Sequence, residues 1–315
     1  MAYVNTGTRV FGEIFAIGEI DYYESYLVKD LTYIFKMSGA SSGSGTLQDP
    51  IIELSYEGGT FISSYDDYGG SLDARGVYIP TSSGVYWFDV GDYGNDEVGT
   101  YIFSVSPGYG SSGNDLINGS PYDDMIAGRA GADVIYGQGG SDRLWGEDGN
   151  DFLGGATGFD QLRGGNGNDT LSGAADRDIL RGNSGNDRLE GGSDIDNISG
   201  GAGVDIFVFS AWQHSTAGAY DKIVASDGVI AFEGVGDAAG DRIDLIGIDA
   251  DALSSGHQSF TFGATGARGG LWLENHGVWT VVRGNIDNDP DAELTIFIGD
   301  DSISSNQYTA ADFIL

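Results

Sequence analysis

Aspartate recurs at every ninth position between residues 110 and 208, with no residue inserted or lost. The series comprises Asp115, Asp124, Asp133, Asp142, Asp151, Asp160, Asp169, Asp178, Asp187, Asp196 and Asp205. Carboxylate oxygens are hard ligands, and sites rich in such oxygens favour Ca²⁺. So regular a series predicts that this part of the chain binds several calcium ions. Metal ligation also accounts for the carboxylates better than general acid–base catalysis does.

The aspartates belong to eleven nonapeptides, each of which begins with a glycine and carries Ile, Leu or Phe at its eighth position. In the unit 164–172 the first six residues favour turns, whereas the last three form a minimal strand with Leu171 on one face. Two such units make one coil of a flattened spiral. The spiral has two parallel sheets, and the eighth-position side chains are stacked between them.

This coil places alternate aspartates on opposite edges of the spiral. One edge carries Asp115, Asp133, Asp151, Asp169, Asp187 and Asp205, and the other carries Asp124, Asp142, Asp160, Asp178 and Asp196. Because successive coils lie about 4.8 Å apart, bare carboxylates in a row would repel one another. A divalent ion between coils removes this repulsion and takes further ligands from backbone carbonyls of the turns. Five gaps on one edge and four on the other are candidate sites, and the alternative is a glycine-rich solenoid without metal.

The overall composition limits the partners of the chain. Its 315 residues include 54 glycines and no cysteine, and its formal net charge is −34. Such a charge disfavours nucleic acid and anionic membranes, and the lack of cysteine excludes disulfides and thiolate metal sites. No apolar run approaches the roughly eighteen residues of a transmembrane segment. Residues 1–20 lack the basic region and apolar core of a secretory signal peptide, so export would need another route.

The flanking regions predict further β-structure. In residues 1–106, apolar and polar positions alternate between clusters of turn formers, which favours an antiparallel β-sandwich. Residues 209–315 contain the apolar runs 271–273, 279–282 and 294–298 and a short helix near 309–313, and we expect them to cap the spiral. The sequence thus predicts an all-β chain of three domains: a β-sandwich (1–106), a parallel β-roll (107–208) and a C-terminal β cap (209–315).

The nonapeptide pattern Gly-Gly-x-Gly-x-Asp-x-apolar-x resembles the RTX, or hemolysin-type, calcium-binding repeat. The resemblance covers all eleven units and implies a parallel β-roll with Ca²⁺ between turns of the same edge. The fourth position is not glycine at Tyr122, Asp176 and Asp194. Aspartate tolerates the left-handed backbone region better than most residues do, whereas Tyr122 puts the sites beside Asp124 in question.

The stretches 205–209, 240–245, 248–250 and 259–262 resemble the C-terminal region of serralysin-type metallopeptidases. The final residues 311–315 place Asp312 before a terminal apolar run, similar to the uncleaved C-terminal signal of type I secretion substrates. This resemblance implies type I export of the Gram-negative bacterial kind, with the secretion apparatus as a partner and an extracellular location.

Residues 1–106 resemble the bacterial pre-peptidase C-terminal domain, a small β-sandwich appended to secreted hydrolases. The resemblance rests on the stretches 21–23, 31–35, 64–67 and 91–105. Some relatives bind calcium or insoluble substrates. It therefore implies that the exposed tyrosines contact an extracellular polymer or protein ligand, and that further Ca²⁺ ligands are Asp66, Asp67, Asp92 and Asp96. Ordinary solvated loops are the alternative.

Catalytic motifs are absent or incomplete. The chain lacks the His-Glu-x-x-His zinc helix of a serralysin, and its three histidines, His214, His257 and His276, lie far apart in the sequence. Residues 39–43 match Gly-x-Ser-x-Gly, but no helix pattern follows, which favours a loop. Residues 285–293 resemble the start of an EF-hand-like calcium loop, although Pro290 stands where that loop needs glycine. A charged hairpin turn is the alternative there.

Together these features predict a secreted, non-catalytic calcium-binding protein whose roll folds when it meets calcium outside the cell. Two alternatives stay open. The chain is the accessory or C-terminal part of a secreted metallopeptidase system, or it is an adhesion or substrate-binding protein that acts through its N-terminal sandwich.

Overall fold

The computed structural model describes residues 2–3, 9–14, 21–27, 32–39, 50–56, 60–66, 73–78, 80, 84–92, 99–119, 121, 123–226, 230–236, 239–251, 253, 256–287, 291–299 and 303–315. Within these residues the regular structure is β-strand, apart from the 3-10 helices Trp212–His214, Ser305–Gln307 and Ala310–Asp312. The all-β prediction is therefore confirmed. No helix in this part of the chain is both long and apolar enough to cross a lipid bilayer.

The chain divides into two compact units. The first comprises residues 1–111 and 117–126, and the second comprises residues 112–116 and 127–315. The domain boundaries predicted after residues 106 and 208 stay predictions.

Antiparallel pairing dominates the first unit. Its described strands are β1 (Ala2–Tyr3), β2 (Arg9–Ile14), β3 (Asp21–Leu27), β4 (Thr32–Gly39), β5 (Pro50–Tyr56), β6 (Thr60–Asp66), β7 (Asp73–Tyr78), β8 (Gly84–Asp92) and β9 (Gly99–Tyr109). One sheet has the order β1-β3-β8-β5-β6, and in the other β2, β9, β4 and β7 are neighbours. Only β1 and β3 pair in parallel among these described strands.

The two sheets of the first unit share one apolar core. Along β8, Tyr86, Phe88 and Val90 are buried, and the residues between them are partly exposed, because side chains alternate across a strand. Phe88 meets Phe35 of β4 edge to face, with the ring centroids 4.9 Å apart. The predicted β-sandwich is confirmed.

The remaining strands are short, and β10 to β20 follow the nine-residue period of the repeats. They are β10 (Leu116–Asn118), β11 (Met125–Ala130), β12 (Val134–Gly139), β13 (Arg143–Asp148), β14 (Phe152–Thr157), β15 (Gln161–Asn166), β16 (Thr170–Ala175), β17 (Ile179–Ser184), β18 (Arg188–Gly192), β19 (Asn197–Ala202), β20 (Ile206–Val208), β21 (Asp221–Ile223), β22 (Arg242–Asp244), β23 (Thr261–Phe262), β24 (Gly270–His276), β25 (Trp279–Asn285), β26 (Leu294–Ile298) and β27 (Phe313–Ile314).

Strands β12 to β20 form a parallel β-roll. Each pairs with the strand two positions further along the chain, with Leu153 beside Leu171 and Leu162 beside Leu180. Two nonapeptides therefore make one coil, as predicted. The strands are longer than the three residues expected from the sequence. In β16, pairing skips the first glycine of the next unit, Gly173, and resumes at Ala174 and Ala175.

The eighth-position side chains fill the space between the two sheets of the roll. All eleven are at most 1 % exposed. Both stacks continue past the repeats. One extends from Phe207 through Ile243 to Phe313, and the other from Ile198 through Ile223 to Ile298.

The C-terminal segment thus extends both sheets of the roll. The antiparallel strands β24, β25 and β26 contain the three predicted apolar runs, and β26 pairs with β21. The helix expected near 309–313 is the single turn Ala310–Asp312, in which the Thr309 N–H donates to the Asp312 carboxylate at 2.7 Å.

Candidate metal centre

Each repeat aspartate lies at the end of a turn, immediately before a strand of the roll. Every one of them after Asp115 is at most 6 % exposed. An ionised carboxylate is costly to bury unless hydrogen bonds or a cation compensate for its lost hydration. The partners of the two carboxylate oxygens therefore decide what these residues do.

One oxygen, Oδ1, is held by the neighbouring coil. Oδ1 of Asp151 accepts a hydrogen bond from the backbone N–H of Asp133, and Oδ1 of Asp169 accepts one from Asp151, both at 2.8 Å. The same bond joins Asp115–Asp133, Asp169–Asp187 and Asp187–Asp205 on this edge, and Asp142–Asp160, Asp160–Asp178 and Asp178–Asp196 on the other. The structure thus arranges the predicted site residues in two rows.

In seven of the row aspartates the other oxygen, Oδ2, has no such bond. It is buried and accepts no hydrogen bond from the described residues in Asp133, Asp151, Asp169, Asp178, Asp187, Asp196 and Asp205. Buried polar atoms almost always have a hydrogen-bond partner, so each exception needs an explanation such as a bound ion. Five such oxygens on one edge and two on the other indicate ligand positions along both edges.

From Gly128 to Gly200, the first glycine of each unit provides the space for Oδ2. A Cβ atom at Gly164 would lie 2.2 Å from Oδ2 of Asp169, and one at Gly182 would lie 2.1 Å from Oδ2 of Asp187. A larger residue would displace the carboxylate. The fourth position adopts a left-handed backbone even where it is aspartate, with φ of 73° at Asp176 and 78° at Asp194.

Burial also raises the pKa of the row aspartates. Desolvation is the largest cause, the backbone bond to Oδ1 opposes it, and nearby acidic groups add to it. The pKa rises to about 6 for Asp169, about 7 for Asp187 and Asp196, and about 8 for Asp178. Keeping the rows ionised near neutral pH is therefore unfavourable without a compensating cation.

The donor set fits calcium. In the described part of the chain, no three His, Asp or Glu side chains converge as a metal cluster. The carboxylates are instead spread at one per coil along each edge, so an ion between coils needs backbone carbonyls as its other ligands. Ca²⁺ takes such oxygens readily, whereas Zn²⁺ prefers nitrogen and sulfur.

Two further aspartates extend the rows, and neither was predicted from the sequence. Oδ1 of Asp221 accepts a bond from the Asp196 N–H, and Oδ1 of Asp241 accepts one from the Asp205 N–H, each at 2.8 Å. They follow their partners by 25 and 36 residues instead of 18, so the period does not reveal them. The signal that remains is Asp-x-Ile, shared with the repeats, at 221–223 and 241–243.

The family model for the RTX calcium-binding nonapeptide repeat matches residues 109–144, 119–153, 145–180, 154–189 and 181–211. This segment is an array of RTX repeats. RTX repeats bind Ca²⁺, so the prediction that calcium is the cofactor is confirmed. Strands β12 to β20 of the parallel β-roll lie within this RTX array.

Several solved structures are similar to the chain. The pre-peptidase C-terminal domain of collagenase from Bacillus anthracis shares 17 % identity with a TM-score of 0.27, and the match covers 34 % of this chain and 95 % of that structure. The AlgE6R3 subunit of the mannuronan C5-epimerase from Azotobacter vinelandii shares 19 % identity with a TM-score of 0.29, and the match covers 65 % of this chain and 80 % of that structure. The extracellular lipase LipA from Serratia marcescens shares 16 % identity with a TM-score of 0.24, and the match covers 66 % of this chain and 39 % of that structure. No curated protein matches the chain by sequence.

The other predicted sites stay predictions. Outside the described residues lie Asp67, Asp96, Tyr122, Asp289 and the loop 40–49, and the side chains of Asp66 and Asp92 are not described either. In the loop 285–293, Oδ1 of Asn285 accepts from the Asp287 N–H at 3.0 Å, and Oε2 of Glu293 accepts from the Ile286 N–H at 2.8 Å. These two bonds stabilise the turn.

Proposed function

We propose that this chain is a secreted, non-catalytic protein whose RTX array folds when Ca²⁺ binds in the gaps between coils. The observation that carries the proposal is the row of buried Oδ2 atoms without a hydrogen bond on each edge. The proposed side-chain ligands are Asp115, Asp124, Asp133, Asp142, Asp151, Asp160, Asp169, Asp178, Asp187, Asp196 and Asp205. Backbone carbonyls of the turns supply the remaining oxygens.

Calcium acts here as a folding switch. Without the ion, folding must bury like charges in neighbouring coils of a chain whose net charge is −34. The sites exist only in the folded roll, so the free energy of binding contributes directly to folding. Extracellular calcium modules typically have Kd values of about 10⁻⁴–10⁻³ M. The array therefore stays unfolded where calcium is scarce and folds outside the cell.

The C-terminal end supports export before folding. Asp312 accepts hydrogen bonds from the backbone N–H groups of Gly236 and Thr309, at 2.6 and 2.7 Å, and Phe313 is buried beside Ile243. Folding thus covers the segment that resembles a type I secretion signal. Only an unfolded chain presents this segment to the secretion apparatus.

The calcium switch is tested by far-UV circular dichroism. We expect purified, calcium-stripped protein to gain β-signal cooperatively as calcium is added, because each occupied gap favours its neighbours in a solenoid. Chelator should reverse the gain, and Mg²⁺ at the same concentration should not produce it, since Mg²⁺ demands a tighter octahedral site. An RTX array that is fully folded in excess chelator would contradict the proposal.

Export is tested by removing residues 312–315 and measuring protein in the medium of a host with a type I secretion system. The truncated chain should stay inside the cell, because its signal is lost. The control is Leu180→Ala, which weakens the roll but retains the terminal residues and should still be exported. If the truncated chain reached the medium as efficiently as the full chain, the proposed signal would be wrong.

A further inference from the structure

Asp221 occupies the position of a repeat aspartate although it follows a segment that is not a repeat. Its Oδ1 accepts a hydrogen bond from the Asp196 N–H at 2.8 Å, the bond that links successive repeat aspartates. The strand register agrees, since Lys222 lies beside Asn197 and Ile223 beside Ile198. The backbone N–H of Lys222 also donates to the carbonyl of Asp196 at 2.9 Å. The row on this edge therefore has one more step than the RTX array.

The second oxygen of Asp221 is available to a ligand. The residue is 1 % exposed, and its Oδ2, like that of Asp196, accepts no hydrogen bond from the described residues. The nearby hydroxyl of Ser215 is already engaged, because it accepts from the Asp221 N–H and donates to the carbonyl of Thr295. The gap between Asp196 and Asp221 thus presents the same carboxylate oxygens as a gap between two repeats.

The opposite edge ends differently and provides an internal comparison. Oδ1 of Asp241 accepts from the Asp205 N–H, as in the repeats, but its Oδ2 accepts from the Glu233 N–H at 2.7 Å. Both oxygens of Asp241 are therefore satisfied by the protein. The row that ends at Asp241 therefore ends in a hydrogen-bonded Oδ2, whereas the row that ends at Asp221 ends in an Oδ2 without a hydrogen bond.

We propose that Asp196 and Asp221 form one calcium site beyond the RTX array, and that the row ending at Asp241 carries no corresponding ion. The inference rests on the proposed calcium binding by the repeats. Its consequence is structural: β21, which begins at Asp221, pairs with β19 of the roll on one side and with β26 on the other. An ion at this gap fastens the antiparallel strands β24 to β26, through β21, to the last coil of the RTX array.

Calcium stoichiometry of the full-length protein tests the inference. Equilibrium dialysis followed by atomic emission should show one bound Ca²⁺ fewer for Asp221→Asn than for the natural chain. The matched variant Asp241→Asn should bind the same number as the natural chain, because its second oxygen is not a ligand. Equal stoichiometry for Asp221→Asn and the natural chain would overturn this inference alone. A natural chain that binds no calcium would overturn the proposed function as well.

A second measurement does not require a variant to fold. In crystals of the natural chain grown with Ca²⁺, anomalous scattering should reveal an ion between the carboxylates of Asp196 and Asp221. No ion should appear between Asp205 and Asp241. Ions in the repeat gaps with none between Asp196 and Asp221 would contradict the proposed site. An ion between Asp205 and Asp241 would contradict the inference that the row ending at Asp241 carries none.

Discussion

At the scale of the residue, seven repeat aspartates have two oxygens with different partners: Asp133, Asp151, Asp169, Asp178, Asp187, Asp196 and Asp205. Oδ1 accepts a backbone N–H from the adjacent coil, and this bond needs no ion. Oδ2 is buried without a hydrogen bond, and the space that it occupies exists because the first residue of the unit is glycine. One carboxylate thus links two coils directly, while its second oxygen is the proposed ligand of a cation.

Replacement of one row aspartate should have opposite effects with and without calcium. In Asp178→Asn the amide oxygen still accepts from the Asp160 N–H, but a buried charge and a proposed ligand are lost. We expect the variant to retain more β-signal than the natural chain in calcium-free buffer. In saturating calcium it should be less stable by about 1–3 kcal/mol, since a buried group loses its partner. Circular dichroism and urea unfolding measure the two effects.

The control for this variant is Asp176→Asn. Asp176 is exposed and lies two residues away in the same turn, so its replacement removes a charge without removing a row carboxylate. Stability in calcium should stay close to that of the natural chain. If Asp178→Asn shifted stability in the same direction with and without calcium, Asp178 would not be a metal ligand.

At the scale of the element, the roll depends on two narrow stacks of apolar side chains. Each repeat strand contributes mainly its eighth-position side chain to the core. The stacks run on into Ile243 and Phe313 on one sheet and Ile223 and Ile298 on the other. The last RTX coil is therefore covered by apolar residues of the C-terminal segment.

Truncation of one stacked residue should destabilise the calcium-bound roll. Leu180 is fully buried between Leu162 and Ile198, and Leu180→Ala should cost about 2–5 kcal/mol because it leaves a cavity. Val278→Ala, at a side chain that is 54 % exposed, should change stability by less than about 0.5 kcal/mol. Urea unfolding in saturating calcium compares the two variants. Equal effects would mean that the stack does not hold the roll together.

At the scale of the whole molecule, negative charge dominates. The chain has 48 acidic residues and 14 lysines and arginines. The buried aspartates of the two rows are part of this excess of negative charge. The pKa values raised to about 6, 7 and 8 at Asp169, Asp187 and Asp178 mean that the folded, calcium-free roll binds more protons than the unfolded chain. Protons and calcium are thus alternative ways to neutralise the rows.

The pH dependence follows from this proton binding. Because the folded-state pKa values lie above the ordinary value of 3.8, stability of the calcium-free roll should fall as pH rises from about 4 to about 8. Calcium-stripped protein should therefore show more β-signal at pH 5 than at pH 8. The folded roll should bind calcium with a higher Kd at pH 5 than at pH 8, since protons compete for the same carboxylates. Calcium-free stability that increased with pH over this range would contradict the raised pKa values.

Much of the fold and of the candidate site could be predicted from the sequence. The nine-residue period alone determined the two-unit coil, the burial of residues such as Leu171 and the division of aspartates such as Asp169 and Asp178 between two edges, because a strict repeat allows each coil to stack on the last in only one register. Alternation of apolar and polar positions in the first region likewise predicted an antiparallel β-sandwich.

Only the tertiary structure decided which residues outside the repeats join the rows. Asp221 and Asp241 follow connecting segments whose lengths differ from the nine-residue period. No local sequence pattern predicts where such a segment rejoins the roll. The tertiary structure also decides that Oδ1 is hydrogen-bonded and Oδ2 is not, because the donor to Oδ1 is a backbone N–H in the adjacent coil. The different ends of the two rows have the same origin: the Glu233 N–H approaches Asp241, whereas in the described part of the chain no donor reaches Oδ2 of Asp221.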